Sequence, residues 1–166
     1  MNVILERRSI RKYTSERVSR EDIEKLVEAA YSAPSACNKK PFKIYVITNE
    51  EVLNKLDKSG RFTNMHSPLI IVVCGDMKKA LPRHLKEYWI QDASAVTQNI
   101  LLASTSLGLG SCWCGVYLQE DVMKNVSEIL NLDEDTIPFS LIHIGHPNEE
   151  KQANSGYDKE MVEFID

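Results

Sequence analysis

The sequence lacks charged side chains over one long stretch. Residues 93–119 contain no Asp, Glu, Lys or Arg, although these residues make up 27% of the 166-residue chain. Because an unpaired charge is costly to bury, a stretch without charge is typical of a segment inside the molecule or in an interface. The pattern predicts a buried helix over residues 84–107, a glycine turn at Gly108 and Gly110, and a buried strand over residues 112–118.

The sequence also lacks a continuous apolar run of about 18 residues, so no membrane span is expected. The first 13 residues, MNVILERRSIRKY, contain no apolar core of signal-peptide length, and the expected location is the cytoplasm. Net charge is −4, which argues against a dedicated nucleic-acid binder. The four cysteines are expected to be free thiols rather than a disulfide framework.

Several sequence motifs of catalysis and metal binding are absent. Gly108 and Gly110 have no third glycine at the spacing of a dinucleotide fingerprint, and they follow a helix instead of a strand. Cys112 and Cys114 have no second cysteine pair to complete a zinc site, and packing or turn roles are expected for His143 and His146. There is no Gly-x-Ser-x-Gly elbow or phosphate-binding loop either. We therefore expect no metal site.

Apolar periodicity predicts alternating helices and strands. Ser19, followed by Glu21 and Asp22, is typical of a helix N-terminus, and Pro34 ends that helix. The apolar run before Asp76 predicts a central strand covered on both faces. Helices are predicted over residues 2–8, 19–32, 50–59, 84–107 and 120–130, and strands over 42–48, 68–76, 112–118 and 138–145. A polar segment follows over residues 149–156, and residues 161–165 are predicted to form a short strand or helix.

A basic cluster near the N-terminus contains Arg7, Arg8, Arg11 and Lys12, with Ser9 inside it. Forked guanidinium donors together with a hydroxyl group suit a phosphate. A solvated surface face is the alternative that the residues alone leave open.

Five segments of the sequence together resemble those of FMN-dependent nitroreductases, in the same order and over essentially the whole chain. They are residues 7–13 (RRSIRKY), 33–42 (APSACNKKPF), Ser67 with Pro68, residues 108–113 (GLGSCW) and residues 144–147 (IGHP). The resemblance implies a single α+β domain over residues 1–166, with a mixed, largely antiparallel sheet flanked by helices. It also implies an intertwined homodimer with FMN in each of two interface sites.

The resemblance further implies the residues that contact FMN. Binding of the phosphate and ribityl chain is expected from Arg7, Arg8, Ser9 and Arg11. Contacts from the other subunit are expected from Pro34, Ser35, Ala36 and Asn38. Contacts beside the isoalloxazine, with a backbone N–H donating to flavin N5, are expected from Cys114, Gly115 and Val116. Lys151 is the one cation available in the polar segment to replace a basic residue of the family's C-terminal tail.

The expected activity is reduction of nitroaromatic, quinone or similar electron-poor acceptors by NADH or NADPH through the bound flavin. Hydride transfer needs no side-chain base, so no catalytic side chain is assigned, and Asp92 receives no catalytic role. Flavin storage or sensing, and dehalogenation, ene reduction or flavin breakdown on the same fold, remain alternatives. Two positions depart from the family pattern, with Lys40 in place of a glutamine and Phe42 in place of a tryptophan.

Overall fold

The computed structural model describes residues 2–153 and 156–165, which form five α-helices and four strands. The helices are α1 (Asn2–Glu6), α2 (Arg20–Tyr31), α3 (Glu50–Asp57), α4 (Tyr88–Ser106) and α5 (Glu120–Leu130). The strands are β1 (Phe42–Ile47), β2 (Leu69–Asp76), β3 (Gly110–Gly115) and β4 (Thr136–Gly145). Short 3-10 turns occur at Ala36–Asn38, Arg83–Leu85 and Lys159–Met161.

The four strands form one sheet in the order β1-β2-β4-β3, and all three pairings are antiparallel. The predicted α+β architecture is therefore confirmed. Parallel pairing within the described residues is limited to an isolated bridge between Ser9 and Ser111. Strand β3 lies at one edge of the sheet, where only β4 pairs with its full length.

Helices cover both faces of the sheet, which explains why β2 is apolar throughout. Side chains of a strand alternate between faces. Leu69, Ile71 and Val73 pack with residues of α2 and α4, whereas Ile70 and Val72 pack with residues of α3 and α5. Every residue of β2 is buried, as predicted from its sequence.

Local capping fixes the helices that flank the sheet. The Ser19 hydroxyl accepts a hydrogen bond from Asp22 N, so the predicted start of α2 is confirmed. Asn49 caps α3 in the same way through Val52 N. Helix α5 has the predicted bounds and ends at Asn131, which adopts left-handed backbone geometry.

The structure corrects the predicted ends of the charge-free stretch. Helix α4 begins at Tyr88 and not at residue 84, because a 3-10 turn with Arg83 at φ 56° precedes it. Strand β3 ends at Gly115 and not at residue 118. Leu118, predicted to be buried in the strand, lies in a turn with φ 72° and is 80% exposed.

The terminal segments are less regular than predicted. The N-terminal helix ends at Glu6, and after the 3-10 turn at Lys159–Met161 residues 162–165 form neither helix nor strand. Residues 149–153 are also irregular, while positions 154 and 155 of the predicted polar segment lie outside the described residues. Among the helices that the structure describes, none has the length and apolarity needed to cross a membrane.

Candidate functional site

A cavity of about 440 Å³ lies between the edge strand β3 and the loop of residues 60–65. This volume falls in the range of small-molecule sites, about 300–1,000 Å³. Three predicted cofactor contacts, Arg11, Cys114 and Gly115, line it. The other lining residues are Gly60, Arg61, Phe62, Thr63, Asn64, Met65, Cys112, Trp113, Gln119 and Val122.

The N-terminal basic cluster is held beside this cavity by backbone hydrogen bonds. Ile10 N donates to Ser111 O at 3.0 Å, which joins the segment to the free edge of β3. Thr14 N donates to His146 O at 2.9 Å, and Asn148 N donates to Lys12 O at 2.8 Å. The segment is therefore fixed between β3 and the chain that follows β4.

Lys151 lies against this same cluster, although it is distant in sequence. Its Nζ donates to Ser9 O at 2.5 Å and lies 3.3 Å from Glu149 Oε1. Glu149 Oε1 also accepts a hydrogen bond from Arg11 N at 2.6 Å, which holds the pKa of this carboxyl below its ordinary value. Arg8 Nε donates to Gln152 O at 2.7 Å. The structure thus places Lys151 beside Ser9, and beside Arg11 through Glu149.

The charge of this cluster suits an anion. Within residues 2–153 and 156–165, neither Arg7 nor Arg11 forms an ion pair, and Glu149 is the one carboxylate that pairs with Lys151. Guanidinium and ammonium groups near a cavity provide charge-assisted donors for a phosphate. The donor set therefore fits the phosphate end of FMN.

The pairing of β3 with β4 determines which of the predicted flavin-contacting residues, Cys114, Gly115 and Val116, has a backbone N–H that points away from the sheet. Val116 N donates to Phe139 O at 3.0 Å, and in an antiparallel pair every second residue faces the partner strand. Cys114, two residues earlier, therefore also directs its N–H towards β4. Gly115 directs its N–H towards the open edge, on the side where Ser111 O receives Ile10 N. Of the three predicted residues, Gly115 alone directs its backbone N–H away from β4 while lining the cavity.

Gln119 is a site residue that the sequence interpretation missed. Its Nε2 donates to Gly115 O at 2.5 Å and so fixes the orientation of the adjoining peptide. A Cβ at Gly115 would meet no atom nearer than this Nε2, at 3.9 Å, so Gly115 lies beside open space. Gln119 lies between the end of β3 and the start of α5, and this position is the sequence signal that could have identified it.

The loop that contains Pro34, Ser35, Ala36 and Asn38 does not line the cavity of its own chain. It lies against α4, where Ala36 N donates to Asp92 Oδ1 at 2.8 Å. Cys37, Asn38 and Lys40 adopt positive φ values of 51°, 52° and 46°. Hydrogen bonding therefore holds this loop in a conformation that is uncommon for residues other than glycine.

Asp92 is buried near the N-terminal end of α4. Burial raises the pKa of this carboxyl, and the hydrogen bond from Ala36 N opposes that rise. Its Oδ2 has no hydrogen-bond partner among the residues that the structure describes. Asp92 therefore holds the loop of residues 34–38 against α4.

Cys112 and Cys114 lie on one face of β3, and both are buried. The neighbouring Cys114 thiol lowers the pKa of Cys112 to about 7, and Cys112 raises that of Cys114. Arg11 and Lys151 lower the pKa of Cys112 further, against the effect of burial. No group of three or more His, Cys, Asp or Glu side chains that could hold a metal occurs in the described part of the chain.

A buried carboxylate, Asp57, anchors the opposite wall of the cavity, and no sequence motif predicted this role. Asp57 Oδ1 accepts hydrogen bonds from Met65 N at 3.2 Å and His66 N at 3.3 Å. Ser67 Oγ and His143 Nδ1 are 2.9 Å apart behind this loop. Burial lowers the pKa of His143 to about 4, so its ring is neutral near pH 7.

Comparisons with known proteins identify the family of the chain. The sequence model of the Nitroreductase family matches residues 4–62 and 61–146. A protein of Archaeoglobus fulgidus, assigned as an NADH dehydrogenase/NAD(P)H nitroreductase, is 41% identical over 161 residues, which cover 96% of this chain and 91% of the relative.

Two solved structures extend the comparison to the fold. An FMN-dependent nitroreductase of Clostridium difficile R20291 superimposes with a TM-score of 0.90 at 32% identity, covering 100% of this chain and 99% of that one. A Desulfovibrio desulfuricans protein, described as a nitroreductase in complex with FMN, superimposes with a TM-score of 0.84 at 28% identity. The match covers 99% of this chain and 95% of that one.

Proposed function

This chain belongs to the nitroreductase family, and we propose that it is an FMN-dependent oxidoreductase that uses NADH or NADPH to reduce small electron-poor molecules. The observation that carries the proposal is the composition of one cavity wall. Arg11, from the basic cluster, and Gly115, with its outward N–H, line the same cavity. A ligand with a phosphate at one end and a hydrogen-bonding ring system at the other matches that pair of groups.

Separate groups of residues would hold the two ends of FMN. Arg7, Arg8, Ser9, Arg11 and Lys151 would bind the phosphate and ribityl chain, with Glu149 fixing Lys151 and Arg11 N. Gly115 would face the ring, its carbonyl held by Gln119. The bound FMN supplies the redox chemistry, accepting hydride and passing electrons to the acceptor. The chain binds and orients it, and no side chain is assigned as acid or base.

A homodimer is part of this proposal because several surfaces of one chain remain apolar and uncovered. Helix α4 carries no charge after Asp92, yet Ala95, Leu102 and Ala103 are only partly buried. At the C-terminal end Phe164 is 81% exposed and Ile165 is 95% exposed. A second copy would cover these residues. It would also place Pro34, Ser35, Ala36 and Asn38 at the other chain's cavity.

Flavin binding and turnover test the proposed function. We expect the purified protein to be yellow, to bind added FMN, and to oxidise NADH or NADPH when a nitroaromatic compound or a quinone is supplied. Failure to bind FMN would contradict the whole proposal. Binding with no oxidation of either reductant would instead support a storage or sensing role.

A charge-removal variant tests the phosphate end specifically. A hydrogen bond to a charged group contributes about 1.5–3 kcal/mol. The double variant Arg7→Ala with Arg11→Ala should therefore raise the Kd for FMN by at least about tenfold. Lys12→Ala is the matched control, because Lys12 is exposed and contributes its backbone carbonyl to the contact with Asn148. Fluorescence titration measures both. Equal affinity in the double variant and the control would remove the phosphate assignment and leave the fold intact.

A further inference from the structure

The two thiols of β3 have an arrangement that flavin binding does not require. We propose that Cys112 and Cys114 are a redox-active dithiol, which hydrogen peroxide oxidises reversibly to an intramolecular disulfide. The inference goes beyond the proposed function, since neither the reaction nor its detection needs bound FMN.

Position on the strand brings the thiols together. Cys112 and Cys114 point to the same face of β3 and line the same cavity. Two residues on one strand face are separated by about 6.6–6.8 Å between Cα atoms, from a rise of roughly 3.3–3.4 Å per residue. This separation is at the upper end of the range of about 4.4–6.8 Å that a disulfide bridges.

A disulfide also needs Cβ atoms about 3.5–4.5 Å apart, so its formation requires a local movement of the backbone of β3. Strand β3 is an edge strand that ends at Gly115, and β4 is the one strand that pairs along its length. A disulfide at the limit of its geometry is strained and easily reduced. Such a bond suits reversible oxidation better than permanent stabilisation.

The groups around Cys112 and Cys114 affect the pKa values of the two thiols in opposite directions, so the two thiols have different roles. The positive charges of Arg11 and Lys151 and the neighbouring Ser9 side chain act on Cys112 and lower its pKa. These groups and the Cys114 thiol bring the pKa of Cys112 to about 7, so much of it is thiolate at neutral pH. Cys114 remains protonated, and its Sγ lies 3.3 Å from Phe62 O. Because the thiolate is the nucleophile, Cys112 attacks first and Cys114 resolves.

The reaction is a two-electron oxidation in two steps. The Cys112 thiolate attacks one oxygen of hydrogen peroxide, the O–O bond breaks, and protonation of the leaving hydroxide gives water and a sulfenic acid on Cys112. The Cys114 sulfur then attacks the Cys112 sulfur, its proton leaves with the sulfenic hydroxyl as a second water, and the S–S bond forms. One peroxide and two thiols thus give one disulfide and two waters. A small dithiol restores the reduced pair by exchange.

The other two cysteines serve as internal references. Cys74 is buried on β2, and burial raises its pKa to about 12, so it should resist oxidation. Cys37 is exposed on the 3-10 turn at Ala36–Asn38, and Cys37→Ser removes its independent reactivity. The remaining cysteines are then Cys74, Cys112 and Cys114.

The test counts thiols in purified Cys37→Ser protein, as isolated, before and after hydrogen peroxide. After denaturation and alkylation we expect three modified thiols before treatment and one, at Cys74, afterwards, with the peptide containing Cys112 and Cys114 lighter by two hydrogens. Dithiothreitol should restore all three. The oxidation rate should rise with pH around pH 7, as a thiolate at Cys112 requires.

Single variants separate this pair from general thiol oxidation. Cys114→Ser should stop at a sulfenic acid on Cys112, trapped by dimedone. Cys112→Ser should slow oxidation of Cys114, because burial still raises the pKa of that thiol when Cys112 is absent. Three free thiols after peroxide would overturn the inference, and so would direct over-oxidation of Cys112 with Cys114 still reduced. FMN content is recorded separately, so loss of flavin binding and absence of the disulfide are distinguishable results.

Discussion

Replacing Gly115 with proline should remove one hydrogen-bond donor from the candidate site without unfolding the sheet. The Gly115 N–H points away from β4, and proline is tolerated on edge strands where the missing N–H faces outward. Space is available too, because a Cβ at this position would have Gln119 Nε2 as its nearest neighbour, at 3.9 Å. The preceding Cys114 is already in a strand, the conformation that a following proline favours.

The expected loss of affinity follows from that single bond. A neutral hydrogen bond contributes about 0.5–1.5 kcal/mol, so Gly115→Pro should raise the Kd for FMN by about 2- to 13-fold. Its free energy of unfolding should fall only by the strain of fixing φ near about −65° at this position, since no ladder hydrogen bond is removed.

Gly115→Ala is the matched control because it adds a methyl group and keeps the N–H. The assay is titration of flavin-depleted protein with FMN, followed by fluorescence, with urea unfolding of the same preparations. We expect wild-type affinity for the alanine variant and weaker binding for the proline variant. If both variants bind as the wild type does, Gly115 donates no hydrogen bond to the flavin. If the proline variant unfolds, the N–H of the native Gly115 belongs to the β4 ladder, and the strand alternation assigned to β3 is incorrect.

Two further substitutions test the fold around the site. Gly110→Ala would place a Cβ 2.7 Å from Ile10 Cγ2, so we expect a loss of about 1–3 kcal/mol in urea unfolding, with Gly115→Ala as the unaffected control. His143 binds a proton less readily when folded, because burial lowers its pKa from 6.5 to about 4. The unfolded state therefore binds more protons, and stability should fall by up to about 3 kcal/mol as pH decreases from about 6.5 to 4. His143→Gln should flatten that dependence, and an unchanged pH profile in the variant would assign the loss to other groups.

The parts of the fold that the sequence predicted correctly depend on local chemistry. Ser19 and the acidic residues after it stabilise the first turn of α2 through contacts within that turn. The apolar run of β2 is continuous because both faces of the strand are buried. The ends of the charge-free stretch were less predictable. Apolar composition does not distinguish a helix from a 3-10 turn before it, nor a strand from the turn that exposes Leu118.

The candidate site also contains some residues that the sequence predicts and others that only the structure identifies. The basic cluster could be identified from its composition, but the resemblance, and not the cluster itself, pointed to Lys151. The roles of Gln119 and Asp57 depend on single contacts with Gly115 O and with the amides of Met65 and His66, and no sequence pattern encodes such contacts. The distinction between Gly115 and its neighbours required the register of β3 on β4, which is set by pairing across the sheet.

The hydrogen bonds between the two ends of the chain also impose an order on biosynthesis. Arg11 and Glu149 are 138 residues apart in sequence, and Ser9 and Lys151 are 142 apart. At about 5–20 residues per second, a ribosome needs roughly 7–28 s to make the chain between them. During that time the basic cluster has emerged without its later partners. In the proposed phosphate site, Lys151 therefore joins the basic cluster only after most of the chain has been made, and we expect flavin binding to follow synthesis of this segment.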